Sequence, residues 1–128
     1  MSVAYVDSSC LVAVALKEPG FREVMVRLAR FDQLFSSDLL EAELRSSLAR
    51  ERLGENPGPL LTWVAWVRPS RRLTHEFRQI LELSALKGAD LWHLACALYM
   101  RPRFEDLAFL TLDGDQAEAA RELGFPGA

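Results

Sequence analysis

Cysteine is scarce in this chain. Cys10 and Cys96 each lie in an apolar segment, without a CxxC pair or a histidine at ligand spacing. That excludes a disulfide framework and a thiolate metal site, and it predicts two buried free thiols suited to a reducing cytoplasm. Lysine is equally scarce: only Lys17 and Lys87 accompany 13 arginines among the 15 basic residues. Arginine favours bidentate phosphate contacts, and a GC-rich coding sequence produces the same bias. No apolar run approaches the ~20 residues of a membrane-spanning helix. The N-terminus enters an apolar strand without a charged leader or cleavage site, so neither signal peptide nor membrane anchor is expected, and the expected location is the cytoplasm. Repeats and low-complexity stretches are also lacking. A net charge of −3 argues against a protein that coats nucleic acid electrostatically.

What is present is a single domain's worth of chain, residues 1–128, half of it apolar and able to build a core without staples. Val3-Ala4-Tyr5-Val6 is an uninterrupted apolar run, the pattern of a strand buried on both faces in a parallel sheet. It ends on Asp7, Ser8 and Ser9, where open α/β sheets place their ligands. A helix over Leu11–Lys17 follows, with Ser8 or Ser9 as N-cap, until Pro19-Gly20 breaks it. Phe21–Ala29 reads as an amphipathic helix and Gln33–Ser36 as a short strand. Ser37–Leu53 reads as a long helix capped by Ser37 or Asp38, ended by Gly54 and a loop from Glu55 to Pro59.

Leu60–Ala65 predicts a short helix, and Trp66-Val67-Arg68 an edge strand ended by Pro69. Thr74 caps a helix with Phe77, Ile80, Leu81 and Leu83 or Leu86 inward and Gly88 at its end. Asp90 opens a strongly apolar helix to Met100, closed by Arg101-Pro102-Arg103. Leu107–Leu112 is a second buried strand, Gln116–Leu123 the last helix, and Pro126-Gly127 at most the remnant of a final strand. The alternation predicts an α/β fold: a three-layer α/β/α sandwich with a central parallel sheet of four or five strands.

Four acids stand out. Asp7 can cap the next helix, but the adjacent serines can do so instead, which frees it for chemistry. Glu41 and Glu43 are two residues apart on one helix and point about 200° apart, so only one can face the sheet end. Glu41 has Arg45 four residues on and Asp38 at capping-box distance, so its place is explained. Glu43 has no partner in its own helix and is the candidate. Asp90 in a first helical turn gains roughly 0.3–1 kcal/mol from the helix dipole, a sufficient reason for one acid taken alone. His93, one turn on, is expected as a packed residue rather than a ligand. Asp115 has capping-box spacing to Glu118, whereas Asp113 has only its turn to explain it. Asp113 also shares the strand-end position of Asp7. Carboxylates converging there would repel one another and lose hydration, and without a cation some would take up protons. An oxygen-only donor set selects a hard ion, Mg²⁺ or Mn²⁺.

Tyr5-Val6-Asp7-Ser8-Ser9, the stretch from Ser37 to Arg45, the stretch from Lys87 to Ala95, and Leu110-Thr111-Leu112-Asp113 together resemble the successive motifs of the PIN-domain family. The similarity spans nearly the whole length and is narrower still to VapC-type toxins of bacterial toxin–antitoxin pairs. It implies a hydrolase: an endoribonuclease that needs Mg²⁺ or Mn²⁺ and cleaves RNA phosphodiesters with a metal-activated water. Position by position, Asp7, Glu43, Asp90 and Asp113 fall on the family's catalytic and metal-holding acids. Asp115 falls on an auxiliary acid that is either a ligand or only a cap, and Ser8 and Thr111 on hydroxyls near the metal. A homodimer and a cognate antitoxin are the implied partners. The antitoxin is expected in an apolar groove between the helices of Leu11–Arg30 and the one beginning at Ser37. RNA is expected along Arg68, Arg71, Arg72, Arg101 and Arg103. The chain departs from the family in having Leu91 and Trp92 after the third acid and a short C-terminal tail. A catalytically inactive PIN module that binds RNA or protein is the alternative. A phosphoacceptor receiver-like domain also places an Asp at a strand end, but it needs an acidic pair near its start and a late lysine.

Overall fold

A computed structural model describes residues 1–52, 54 and 56–127 of the chain. The expected helix end at Leu53, the loop residue Glu55 and the terminal Ala128 lie outside the described residues. β1 (Val3–Val6), β2 (Gln33–Ser36), β3 (Val64–Trp66) and β4 (Ala108–Leu110) form one all-parallel sheet in the order β3-β2-β1-β4. β1 is central, and side-chain alternation splits it between two cores. Val3 and Tyr5 join the core covered by α5 (Thr74–Leu81), α6 (Gly88–Met100) and α7 (Gly114–Glu122). Ala4 and Val6 join the core covered by α1 (Ser8–Ala15), α2 (Phe21–Ala29) and α3 (Asp38–Arg50). The three-layer α/β/α arrangement follows directly. Because the strands are parallel, Val6, Ser36, Trp66 and Leu110 all end on the same edge.

Several boundaries differ from the sequence reading. The short helix α4 spans Gly58–Leu61, with Pro59 in the first turn where its missing N–H is harmless, and β3 precedes the expected Trp66–Arg68 strand. Pairing decides this: Val64 to Trp66 lie beside Leu34 to Ser36, and after Val67 N–H reaches Ser36 O the chain leaves before Pro69. Gly88 opens α6 rather than closing α5. With α5 over at Leu81, helical spacing lapses. Phe77 and Ile80 pack inward as expected, and of the alternatives Leu83 and Leu86 it is Leu86 that packs on the core, while Leu81, expected inside, is exposed. β4 is shorter than the expected Leu107–Leu112 run, and Leu112 faces solvent.

Both cysteines are free and buried, and burial pushes each thiol up to about 12. Among the described residues, no helix is long and apolar enough to cross a membrane. Of the five arginines expected to guide RNA, two are committed to the fold. Arg71 grips the buried Glu76 in a bidentate pair at 3.0 and 2.7 Å. Arg101 donates to Leu123 O at 2.6 Å and lies over the Phe125 ring. Arg68, Arg72 and Arg103 remain exposed.

Candidate active site

At the strand-end edge, Asp7 is the N-cap of α1, a role expected of Ser8 or Ser9. Its Oδ1 accepts from the Ser9 amide at 3.2 Å and the Ser9 hydroxyl at 2.6 Å. Ser9 Oγ in turn accepts from Leu112 N–H at 2.9 Å. Thr111 Oγ1 stands 3.0 Å from Asp7 Oδ2 and 2.6 Å from Gln116 Oε1, while accepting from Asp113 N–H. A hydroxyl has one proton, so Thr111 serves either Asp7 or Gln116 at a given moment. Gln116 Nε2 donates to Asp90 O at 3.0 Å. One buried hydrogen-bond chain therefore ties β1, β4, α7 and the start of α6 together. Burial pushes the Asp7 carboxyl up to about 6; Ser9, His93 and Thr111 resist the shift, and the charge of Asp90 adds to it.

The two glutamates of α3 separate as their 200° spacing requires. Glu41 pairs with Arg45 at 2.8 Å on the outer side. Glu43 Oε1 accepts from Ser8 Oγ at 3.0 Å and lies 2.8 Å from His93 Nε2. His93 is fully buried, and its Nδ1 is 2.8 Å from the Tyr5 hydroxyl. A carboxylate only accepts, so Nε2 carries a proton. In neutral His93 the Tyr5 O–H then donates to Nδ1. Burial raises the Tyr5 phenol well above its usual range, so it remains an O–H. Burial also acts to raise Glu43, but the hydrogen bond and charge of His93 and the Ser8 hydroxyl outweigh it and hold the carboxyl below its usual value.

Asp90, in the first turn of α6, is raised by burial and then by the negative charges of Asp113 and Glu43. Asp113 is the N-cap of α7, with Oδ2 accepting from Gln116 N–H at 2.8 Å. The sequence reading gave the capping role to Asp115. The overlooked signal is Asp113-x-x-Gln116, itself a capping-box spacing. Asp115 is exposed and lines a separate cleft with Leu83, Ser84, Glu118 and Glu122. Asp90 thus lies within electrostatic reach of Asp7, Glu43 and Asp113, whereas Asp115 faces the separate cleft and Glu41 is paired with Arg45. Ser9, Tyr5 and Gln116 complete the site and were not selected from sequence: Tyr5 and Gln116 meet partners on other elements, and Ser9 reads in sequence only as a possible cap. Trp92, the unusual residue beside Asp90, donates to Ser37 Oγ at 3.0 Å and braces α6 on the start of α3.

The donors available to a cation are carboxylate oxygens. Glu43 Oε2, Asp113 Oδ1 and both oxygens of Asp90 make no hydrogen bond among the described residues. His93 and Lys87 offset only part of the repulsion on Asp90, which stays raised, and this fits a hard divalent ion. Among the described residues, no three acidic, imidazole or thiol groups enclose an ion by themselves. Asp7 is drawn back onto Ser9 and Thr111, and Glu43 onto His93. Such a site suits an ion that keeps part of its water shell.

The cap and the charge of Asp113 can be separated. Asp113→Ala is expected to unfold at lower urea than Asp113→Asn, with a difference of about 1 kcal/mol, because only Asn keeps an acceptor for the Gln116 amide. Equal midpoints would mean that the cap contributes nothing.

No curated protein gives a significant match to the chain. The model of the PIN domain matches residues 4–122, a span that contains all four acids, β2, β3, β4 and all of β1 but Val3. PIN domains are generally nucleases, and those nucleases generally use divalent metals. The chain belongs to the PIN-domain family.

Proposed function

We propose that this chain is the toxin of a type II toxin–antitoxin pair, an endoribonuclease dependent on Mg²⁺ or Mn²⁺ that hydrolyses RNA phosphodiester bonds. The observation that carries the reading is the placement of Asp7 after β1 and Asp113 after β4 on the strand-end edge, with Glu43 tied to Ser8 beside Asp7 and Asp90 at the start of α6 joined to the same edge through Gln116. A bound divalent ion supplies an acidified water and neutralises charge on the phosphodiester oxygens. Asp7, Asp90 and Asp113 are the residues to hold it, with Glu43 beside them. Ser9 and Thr111 fix the Asp7 carboxylate in one orientation. Tyr5 orients His93, and His93 orients Glu43. These links run through buried groups, so Asp7 and Glu43 are presented with little freedom left to lose on binding. The test is cleavage of single-stranded RNA with Mn²⁺, its arrest by EDTA, and its absence in Asp7→Asn.

An antitoxin and a second copy of the chain are the proposed protein partners. An apolar cleft of about 340 Å³ lies between Met25, Leu28 and Ala29 of α2, the Phe31–Leu34 stretch and Trp63. Along the groove expected between the helices of Leu11–Arg30 and α3, Leu11, Val14, Val24 and Leu28 pack into the core. The apolar excess is left at Met25 and Val26, 39% and 57% exposed. An amphipathic antitoxin helix fits this cleft. A Met25→Ser/Val26→Ser protein is expected to recover at least tenfold less antitoxin, encoded in the adjacent gene, on co-purification, with RNA cleavage unchanged. Wild-type recovery by a folded variant would place the contact elsewhere.

A further inference from the structure

α3 carries its buried leucines, Leu40, Leu44 and Leu48, on one side. A second ridge runs along it at helical spacing: Glu43, Ser46, Ser47 and Arg50, at i, i+3, i+4 and i+7. With Ser8 and Ala42 these residues line a cleft of about 280 Å³, which is therefore continuous with the carboxylate site through Ser8 and Glu43. Its two ends differ in charge. Glu43 is held by Ser8 and His93 at one end. At the other, Arg50 is exposed, and its guanidinium donates to Ser46 Oγ at 3.4 Å and Ser47 Oγ at 3.3 Å. Among the described residues Arg50 has no acidic partner.

We infer that Ser46, Ser47 and Arg50 form a subsite for a backbone phosphate of single-stranded RNA, flanking the bond that is cut. The inference rests on the nuclease reading and adds to it a place for the substrate strand. Three features carry it. The cleft is lined by hydroxyls, a carboxylate and a guanidinium, with Ala42 its one apolar wall residue, so it suits a hydrated polar chain rather than an apolar helix. Arg50 already lies beside two hydroxyls, and a phosphate accepts from both kinds of donor. At 1.5 Å of rise per residue, Arg50 lies about 10 Å along α3 from Glu43. A phosphate held there is displaced from the reacting one and avoids the negative charge of Glu43. The ordinary role of Arg50 is to complement the C-terminal dipole of α3, and that role predicts an effect on stability but none on RNA.

The experiment uses the full chain in an Asp7→Asn background, which stops cleavage, and a fluorescein-labelled 12-nucleotide RNA of mixed sequence. Anisotropy is followed between 50 and 200 mM KCl. Arg50→Gln is expected to raise Kd about tenfold and to reduce the slope of log K against log salt by about 0.7, the value for one phosphate contact on a single strand. Ser46→Ala/Ser47→Ala is expected to raise Kd by a smaller factor with the slope retained, since the guanidinium remains. Circular dichroism confirms the fold of each variant. An unchanged Kd and slope in Arg50→Gln, or no RNA binding by the parent, overturns the subsite. So does loss of a protein partner alone, which would assign the ridge to protein recognition. The nuclease reading is judged separately, on the Asp7-intact chain. RNA binding that depends on Arg50 without any cleavage keeps the subsite and removes the nuclease. Cleavage indifferent to Arg50 does the reverse.

Discussion

Asp7→Asn is expected to lower RNA cleavage about 10³-fold while raising the melting temperature of the metal-free protein at pH 8. The loss of activity follows from removing the carboxylate most deeply placed in the site, a charge that no neighbour replaces. The gain in stability follows from the same burial. Asp7 ionises near pH 6 in the fold against an ordinary value of 3.8. A raised carboxyl contributes fully to stability below the unfolded value and loses that contribution as pH rises through the folded one. For a shift of this size the loss is of order 3 kcal/mol. Asparagine carries no charge to desolvate. Its carbonyl still accepts from Ser9, and its amide donates to Thr111, which frees the Thr111 proton for Gln116. At roughly 3–5 °C per kcal/mol for a chain of this size, the gain reaches about 10 °C at pH 8 and vanishes near pH 4. Glu43, held below its usual value, acts in the opposite sense and loses its contribution as pH falls. A variant that melts lower than wild type at pH 8 would show that Asp7 is not a buried, uncompensated charge.

Added Mn²⁺ or Mg²⁺ is expected to raise the melting temperature of the wild type. Binding to the folded state alone stabilises it by about 2.7 kcal/mol at a hundredfold excess over Kd, again near 10 °C. Asp90→Asn should show a much smaller rise, because Asp90 is the acid loaded by both Asp113 and Glu43. Protons compete with the ion for Asp7, so the rise should be larger at pH 7.5 than at pH 5. A melting curve unmoved by saturating Mn²⁺ at pH 7.5, measured by calorimetry, would remove the metal from this site.

The sequence by itself determined the layers and the edge on which the chemistry is placed. Apolar strands alternating with amphipathic helices admit few arrangements, and a parallel sheet puts the residues after β1 and β4 on one edge. It also separated Glu43 from Glu41, since a helix turns 200° in two residues and Arg45 had already claimed one of them. Tertiary structure alone decided how each acid is held. Asp7 caps α1 itself because its carboxylate, fixed by the end of β1, reaches the Ser9 amide before either serine can take the role. His93, expected as a packed residue, is the buried link between Tyr5 and Glu43, residues 88 and 50 positions away in sequence. Gln116 joins Thr111 to Asp90 across two more. Local periodicity reports which way a side chain leaves its own element. It carries no information about the distant group waiting there: the bonds to Asp7 from Ser9 and to Asp113 from Gln116 are local, but Ser8, His93 and Thr111 reach their carboxylates from 35 to 104 positions away.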